Sequence, residues 1–174
     1  MKNSENIELE KSHESLKIIG EIGQDIISLH SVEDIIEKTF ANVNVLMDAP
    51  IFGIGIYNED DKHLHFPEFI ENGNKYSSKH YIKDNTQLCN ICFNQSEKIV
   101  LNDVLFDVKK YKTAILNSDI DEVSESIIYL PLIVKNLKIG VITVQSFKKN
   151  AYSEYKVNML SNIAIYTAIA LDNA

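Results

Sequence analysis

Two apolar strand patterns joined by a two-residue polar turn dominate the C-terminal half of the chain. Residues 126–134 and 137–147 are rich in β-branched and aromatic side chains, which suit a pleated, half-buried surface. Lys135 and Asn136 lie between them, and Asn136 tolerates the positive φ that a tight hairpin turn requires. Pro131 cannot donate to a ladder, so the first arm is predicted to be an edge strand or to be bulged there. The sequence therefore predicts an antiparallel hairpin.

The hairpin and one segment upstream of it share a recognisable pattern. Residues 126–132 run from a small residue through apolar positions to a Pro-Leu pair, and residues 138–142 read Lys-Ile-Gly-Val-Ile. Upstream, a short predicted strand at residues 98–101, which reads Lys-Ile-Val-Leu, is followed by Asn102 and Asp103. These features resemble the GAF domain family, a group of small-molecule sensing modules in signalling proteins.

The resemblance covers residues 15–174, which we interpret as one domain, and residues 1–14 are interpreted as an N-terminal extension or the start of a signalling helix. It implies an α+β fold, GAF-like and PAS-related, with a central antiparallel sheet of five or six strands and helices on both faces. The chain length of 174 residues suits a single domain with a sizeable core. One fold hosts many functions, so the resemblance indicates the architecture and leaves the ligand open.

The charge of the chain limits its partners. Lys and Arg number 17 and Asp and Glu number 25, which gives a formal net charge of −8. Phosphate backbones are bound through clustered Lys and Arg, and the lysine runs at residues 109–112 and 148–149 are short. We therefore expect no nucleic acid partner and no direct membrane contact. No apolar run reaches the roughly 20 residues of a membrane helix, and the start of the chain has no signal-peptide pattern, so a cytoplasmic location is expected.

Apolar residues that recur every three or four positions predict three long helices. The first is expected over residues 9–29, after a frayed start at residues 1–8. A capping box beginning at Ser31 predicts a second helix through about residue 47, with Asp34 in the place of the usual Glu or Gln. The last is expected from residue 153 to the end of the sequence. It carries one apolar stripe of Val157, Leu160, Ala164, Ala168 and Leu171 and another of Met159, Ile163, Tyr166 and Ile169.

A helix that is apolar over most of its circumference is buried on more than one side. One stripe of the last helix is therefore expected to cover the sheet, and the other to meet the first helix or a second subunit. We predict a homodimer through the first and last helices, in which charged substitutions at Ile163 and Tyr166 weaken the dimer and leave the sheet folded. Since the last helix has no Gly or Pro stop signal, we expect a fragment whose helix continues into a covalently linked output domain.

The middle of the chain alternates between strand and loop patterns. Residues 52–57 and 63–69 are predicted strands, and the alternating glycines Gly53 and Gly55 indicate close approach of a backbone or a ligand on one face. Residues 71–83 lack a clear period and are predicted to form a loop.

Two short helices are predicted between the strands. Residues 84–86 offer Asp, Asn and Thr as caps for a helix that ends near residue 95. After a short strand at residues 98–101, Asp103 is predicted to cap a second helix that extends to Ile115. Residues 118–124 are predicted to form an acidic loop.

Cys89 and Cys92 lie one helical turn apart and have two opposed interpretations. They could form half of a metal or iron–sulfur site, but such a site needs about four ligands, and no histidine shows a matching spacing. Leu88, Ile91 and Phe93 surround them, which favours a buried helix face where a free cysteine packs as a small hydrophobe. We therefore predict no bound metal and no disulfide between the two cysteines.

A redox enzyme is the alternative function. Some proteins that resemble the GAF family reduce free methionine sulfoxide with cysteines spread widely over loops, and Cys89 and Cys92 are the candidates for such chemistry here. Both lie in one predicted helical turn, no third thiol is present, and the nearest cation, Lys98, lies beyond the helix. A reactive thiolate needs a cationic neighbour, so the sequence favours a non-catalytic role.

The sequence can be compared with the motifs that bind two known ligand types of the family. In cyclic nucleotide-binding members an Asn-Lys pair is followed by a Phe with Asp-Glu beyond it; Asn74 and Lys75 are present here, but Phe106 lacks the acidic pair. Bilin-binding members attach the pigment at a Cys in a Cys-His or Pro-Cys-Tyr setting, which neither cysteine has. We expect no metal, haem or bilin cofactor and an unidentified small molecule as ligand.

Polar residues on one sheet face suggest where such a molecule would bind. Thr143 and Gln145 share a strand face, and the opposite face carries Gly140, Ile142 and Val144, which is expected to receive the terminal helices. The resemblance places the pocket between the polar sheet face and the middle of the chain. Our candidates for its lining are Tyr57, Tyr81, Cys92, Asp103, Tyr129, Thr143 and Gln145. The alternative is that these side chains fill an ordinary core.

The sequence therefore predicts a non-catalytic sensing and dimerisation module, as part of a bacterial signal-transduction protein of the histidine kinase or cyclase type. The competing hypothesis is a redox enzyme of the free methionine sulfoxide reductase type.

Overall fold

A computed structural model describes residues 2–111 and 124–174, with side chains described from Ser12 onward except those of residues 108 and 110. The elements follow the sequence in the order α1 (Lys2–Ile27), α2 (Val32–Leu46), β1 (Ile51–Asn58), β2 (His63–Glu71), β3 (Asn74–Tyr81), α3 (Leu88–Gln95), β4 (Ile99–Leu101), α4 (Val104–Asp107), a 3₁₀ turn (Val108–Tyr111), β5 (Ser126–Val134), β6 (Leu137–Ser146) and α5 (Glu154–Asn173). None of the helices in this part of the chain combines the length and hydrophobicity that crossing a bilayer requires.

Six strands form one antiparallel sheet in the order β3-β2-β1-β6-β5-β4. The sequence-based prediction of an α+β fold with a central antiparallel sheet is confirmed. Lys135 and Asn136 form the turn of the β5–β6 hairpin, and both have positive φ, 48° and 69°. Two such residues match the right-handed twist of the strands that they join. The ladder is irregular between Leu132 and Ile133, one residue beyond Pro131.

One face of the sheet packs against three helices. Ile142 and Val144 of β6 join the core formed with α1, α2 and α5, as the apolar strand face predicted. Ser31 caps α2 and accepts a hydrogen bond from the Asp34 amide at 3.1 Å. Ser153 caps α5 in the same way through the Lys156 amide. These caps fix where α2 and α5 begin.

The other face of the sheet packs against α3. This second core contains residues of β2, β4, β5 and β6 together with the buried side of α3. Its fully or almost fully buried members are Leu64, Phe66, Leu88, Cys89, Ile91, Cys92, Phe93, Ile99, Leu101, Val104, Ile127 and Val141. Helices therefore lie on both faces, with α3 opposite the three longer helices.

The second stripe of α5 is used within the chain. Ile163 is completely buried in the helical core, and the ring of Tyr166 lies against Gly23 of α1. The prediction that charged residues at Ile163 and Tyr166 would spare the fold is therefore wrong, because a charge at Ile163 would be buried without a partner. Among the side chains described from Ser12 onward, the large apolar ones that α1 and α5 expose are instead Leu16, Ile18, Tyr155 and Ile165.

Four local predictions differ from the structure. Residues 74–81, predicted as loop, form the edge strand β3. The helix α1 begins at Lys2 rather than after residue 8. The N-cap of α3 is Gln87, which makes no side-chain cap bond, because Asp84 instead accepts hydrogen bonds from Thr86 in the preceding turn. The helix after Asp103 ends at Asp107 and continues as a 3₁₀ turn; Ile115 and most of the predicted acidic loop lie outside the described residues.

Candidate functional site

The helix α3 is fastened over one sheet face by side chains at both of its ends. Near its start, the Asn90 amide nitrogen donates to the carbonyls of Tyr81 and Asp84 at 2.9 and 2.8 Å. Near its end, Lys138 of β6 donates from Nζ to the carbonyls of Phe93 and Asn94 at 3.0 and 2.8 Å. These carbonyls belong to the last turn, which has no intrahelical donors and carries the negative end of the helix dipole. Lys138 therefore caps α3 and holds it to the sheet.

Three polar side chains meet on the strands beneath this layer. Tyr129 and Thr143 are cross-strand neighbours on β5 and β6, and the Gln145 amide nitrogen lies 3.4 Å from the Tyr129 hydroxyl and 3.4 Å from Thr143 Oγ1. Thr143 donates to the Ile128 carbonyl at 2.9 Å. The Gln145 amide oxygen accepts from the Ser124 hydroxyl at 2.8 Å. We name Tyr129, Thr143 and Gln145 the polar cluster.

The polar cluster is largely buried, and Tyr129 is the most exposed of its three side chains. Burial raises the pKa of the Tyr129 phenol well above its usual range, so its hydroxyl stays protonated and can donate or accept. Thr143 is fully buried and Gln145 is 9% exposed. Since the two hydrogen bonds of the Gln145 nitrogen are longer than the usual 2.7–3.2 Å, this amide is a donor that a better acceptor could engage.

Aromatic rings fill the neighbouring part of the same face. The ring of Tyr57 contacts that of Phe93 of α3 in a tilted arrangement, with the centroids 4.6 Å apart and the planes at 39°. The close approach predicted by the glycines of β1 comes from rings of β2: a Cβ on Gly55 would lie 2.5 Å from Phe66, and one on Gly53 would lie 2.6 Å from Phe69. The glycine face of β1 is therefore packed by the protein's own side chains.

Both cysteines lie on the buried side of α3 as free thiols. Burial raises the pKa of the Cys89 thiol to about 12 and that of Cys92 to about 12. At neutral pH the two thiols are protonated, and the thiol is neither a good nucleophile nor a metal ligand. Within residues 2–111 and 124–174, His, Cys, Asp and Glu form no group of three or more that could hold a metal ion.

The structure brings together five of the seven predicted lining residues on the α3 face: Tyr57, Cys92, Tyr129, Thr143 and Gln145. Tyr81 is 62% exposed on the edge strand β3, where its ring lies 5.8 Å from that of His63. Asp103 binds Lys149 at 2.9 Å, and this lysine holds the pKa of the Asp103 carboxyl below its usual value. Neither of these two side chains takes part in the hydrogen bonds of the polar cluster.

Sequence reasoning missed Phe93, Asn90 and Lys138 as parts of this site. The sequence predicts Phe93 on the buried helix face but not in the site, and Asn90, which lies between the two cysteines, could have been included with it. Lys138 lies 44 residues beyond Asn94 in the sequence, and no local pattern connects a strand lysine to the end of a distant helix.

The sequence matches one family model, described as GAF domain, over residues 30–172. No curated protein matches the chain. The matched segment includes α2, the whole sheet, α3 and nearly all of α5.

Solved structures with the same fold include proteins of different roles. A GAF domain from an Acinetobacter phosphoenolpyruvate-protein phosphotransferase has a TM-score of 0.73 at 18% identity, covering 91% of this chain and 93% of that one. A free methionine-R-sulfoxide reductase from Neisseria meningitidis, in complex with its substrate, has a TM-score of 0.73 at 15% identity. The match covers 94% of this chain and 91% of that one. Residues 122 to 287 of a methyl-accepting chemotaxis protein have a TM-score of 0.71 at 16% identity. The match covers 87% of this chain and 94% of that one. At these identities the likeness shows the fold alone.

Proposed function

Because this chain belongs to the GAF domain family, we propose that it is a non-catalytic module that senses a small molecule between the sheet and α3. The observation that carries this proposal is the polar cluster of Tyr129, Thr143 and Gln145 in an otherwise apolar layer. A few convergent polar groups among apolar walls are typical of small-molecule sites. We propose that the module acts in a bacterial signal-transduction protein of the histidine kinase or cyclase type, with a covalently linked output domain.

The hydrogen bonds of Gln145 define what the ligand should offer. Ser124 holds the amide oxygen, so the amide nitrogen faces Tyr129 and Thr143 through its two long contacts. A ligand with a carbonyl, carboxylate or ring nitrogen would accept a shorter bond from this nitrogen and another from the Tyr129 hydroxyl. Its apolar part would lie against α3, near Phe93.

A methionine sulfoxide reductase is the rival function, since proteins with that activity share the fold. The protonation of Cys89 and Cys92 argues against it, because their pKa values of about 12 leave almost no thiolate at neutral pH. The two thiols also share one buried helix side. Among the described residues, no cationic side chain lowers the pKa of either thiol. We also propose a cytoplasmic location. Free thiols such as those of Cys89 and Cys92 are stable in a reducing compartment.

We further propose that α1 and α5 form a homodimer. Their outer surfaces border a cavity of about 600 Å³, beside which Leu16 and Tyr155 are 65% and 57% exposed. Contiguous exposed apolar surface normally marks an interaction site. In a two-fold symmetric dimer, the same surface of α1 and α5 on each subunit would cover that of the other.

The sensing proposal is tested by native mass spectrometry of protein purified from bacterial cells, together with NMR titration of the purified protein with a bacterial metabolite extract. We expect a bound molecule or saturable shifts at the polar cluster, and we expect Gln145→Leu to abolish both. Gln24→Leu on α1, whose side chain is exposed, is the matched control.

The rival function is tested with free methionine-R-sulfoxide and a thiol reductant. Catalytic turnover that disappears in Cys89→Ala or Cys92→Ala would replace our proposal with the redox enzyme. Absence of any bound molecule and of any NMR response at the polar cluster would contradict the sensing role directly.

A further inference from the structure

A second cavity lies at the open edge of the sheet, beyond the end of β4. The strand β4 is only three residues long and pairs with residues 127–129 of β5. Among residues 2–111 and 124–174, no strand pairs with the remainder of β5, as far as Val134, on that side. A cavity of about 330 Å³ opens between this uncovered edge and α5. Its volume is at the lower end of the range typical of small-molecule sites.

The walls of this edge cavity are mostly apolar and its lining includes one cation. Pro131 and Ile133 of β5 and Ala164 and Ile165 of α5 line it, and Lys98 lies just before the start of β4. Ser161, which also lines it, donates its hydroxyl to the Val157 carbonyl of its own helix at 2.8 Å. Ile165 is 55% exposed and Ile133 is 37% exposed, so an occupant would remove two large side chains from water. Burial of apolar area of this kind contributes about 25 cal/mol per Å².

Lys98 is uncompensated within the part of the chain that the structure describes. Two lysines near sheet ends are paired, Lys148 with Asp48 and Lys149 with Asp103, whereas Lys98 forms no ion pair with any described residue. In a chain with a formal net charge of −8, an unpaired ammonium group next to an apolar cavity is an attractive position for an anion.

We propose that the edge cavity binds a small carboxylate with an apolar body, such as a medium-chain alkyl or aryl carboxylic acid. The carboxylate pairs with Lys98, and the apolar body lies between β5 and α5 against Pro131 and Ile165. This site is separate from the polar cluster, since Leu130 at its base belongs to the helical core while Tyr129 faces α3.

An extended peptide fits this edge less well than a small amphiphile. A peptide that adds to a sheet as a new strand depends on main-chain hydrogen bonds to the edge strand. Pro131 lies within the uncovered segment and has no N–H to donate. The cavity therefore offers apolar contact and one charge, which are the two features that a short amphiphilic acid requires.

Occupancy of the edge cavity would act on α5. Ala164 and Ile165 lie on this helix, which also contacts α1. A ligand that contacts α5 in one arrangement more favourably than in another shifts the balance between them by its difference in affinity. The edge cavity would thus be a second ligand-binding site that influences α5, and it would lie beside α5 rather than beneath α3.

The test uses octanoate as the probe and methyl-labelled protein in NMR titrations, with octan-1-ol and octylamine as matched probes of other charge. We expect saturable shifts of the Ile133 and Ile165 methyl resonances with octanoate, and weaker binding of the two other probes. Lys98→Met should weaken octanoate binding about fivefold, the upper range for an exposed ion pair. Lys79→Met, which removes an exposed lysine from β3 at the opposite edge of the sheet, should leave it unchanged.

The same titration has outcomes that overturn the proposal. Shifts that are absent or do not saturate at Ile133 and Ile165 would remove the site. Equal affinity of the Lys98→Met variant, or equal affinity for octan-1-ol, would show that no carboxylate is recognised. Gln145→Leu separates this proposal from the sensing role of the polar cluster, because it should leave octanoate binding intact.

Discussion

The ring of Tyr166 on α5 occupies the space that a side chain at Gly23 on α1 would fill. A Cβ added at Gly23 would lie 2.6 Å from ring atoms of Tyr166, closer than two carbon atoms can approach without one of them moving. The absence of a side chain at residue 23 therefore sets how closely α1 and α5 pack, and it explains why the second apolar stripe of α5 lies against α1.

We expect Gly23→Ala to force Tyr166 out of its position and to loosen the α1–α5 contact. The better helix propensity of alanine, worth about 1 kcal/mol, is offset by overpacking that typically costs about 1–3 kcal/mol. Gly20→Ala is the matched control, since a Cβ at Gly20 has no neighbour within 4 Å. Urea unfolding should find Gly20→Ala more stable than Gly23→Ala by about 1 kcal/mol or more. Equal stability of the two variants would show that Tyr166 does not fill this space in solution.

Removal of the Lys138 ammonium should release the end of α3. The Lys138→Met variant loses two hydrogen bonds to the carbonyls of Phe93 and Asn94 and keeps the length of the side chain. We expect a loss of about 1 kcal/mol in unfolding free energy and faster labelling of Cys89 and Cys92 by a thiol reagent. Lys135→Met, at the exposed turn of the same hairpin, should change neither quantity. Unchanged labelling in Lys138→Met would mean that the cap does not control opening of α3.

The sequence predicted the sheet and the three long helices because their apolar periods are strong, as in α5 and in the β5–β6 hairpin. It failed at β3, where residues 74–81 are mostly exposed at the sheet edge and so need no apolar alternation. The polar cluster was found through the alternation of Thr143 and Gln145 on β6. Phe66 and Phe69 on the glycine face of β1 were missed, because which ring covers which glycine depends on the register of two strands.

Alkaline pH should destabilise the protein through the two cysteines. Their folded-state pKa values of about 12 lie above the ordinary value of 9.0, so the unfolded chain loses these protons first as the pH rises. Stability is then fully present below about pH 9 and falls between about 9 and 12, by up to about 1.4 kcal/mol per pH unit for each thiol. Tyr129 and Tyr152 have pKa values raised by burial in the same direction, but an unfolded tyrosine titrates only near pH 10.

The cysteine contribution is isolated by measuring how the unfolding free energy depends on pH in two proteins. One is the parent protein, and the other is the double variant that carries both Cys89→Ala and Cys92→Ala. The double variant starts from lower stability because two buried side chains are shortened. Its stability should nevertheless decline less steeply between pH 8.5 and 9.5, the interval below tyrosine ionisation. The same slope in both proteins would mean that the thiols are accessible to water.

Charge placed on the outer surface of α1 should separate the homodimer and spare the fold. Leu16 is 65% exposed beside the cavity that α1 and α5 border, so Leu16→Glu adds a carboxylate at the proposed interface without entering the core. The two-fold axis would bring the change in both subunits to one interface, where buried charges without partners are costly. We expect equilibrium sedimentation to show a dimer for the parent protein and a dissociation constant at least about tenfold higher for Leu16→Glu. Val45→Glu, at an 85% exposed position on α2, should leave the dimer intact, and a parent protein that is monomeric at high micromolar concentration would contradict the assembly proposal.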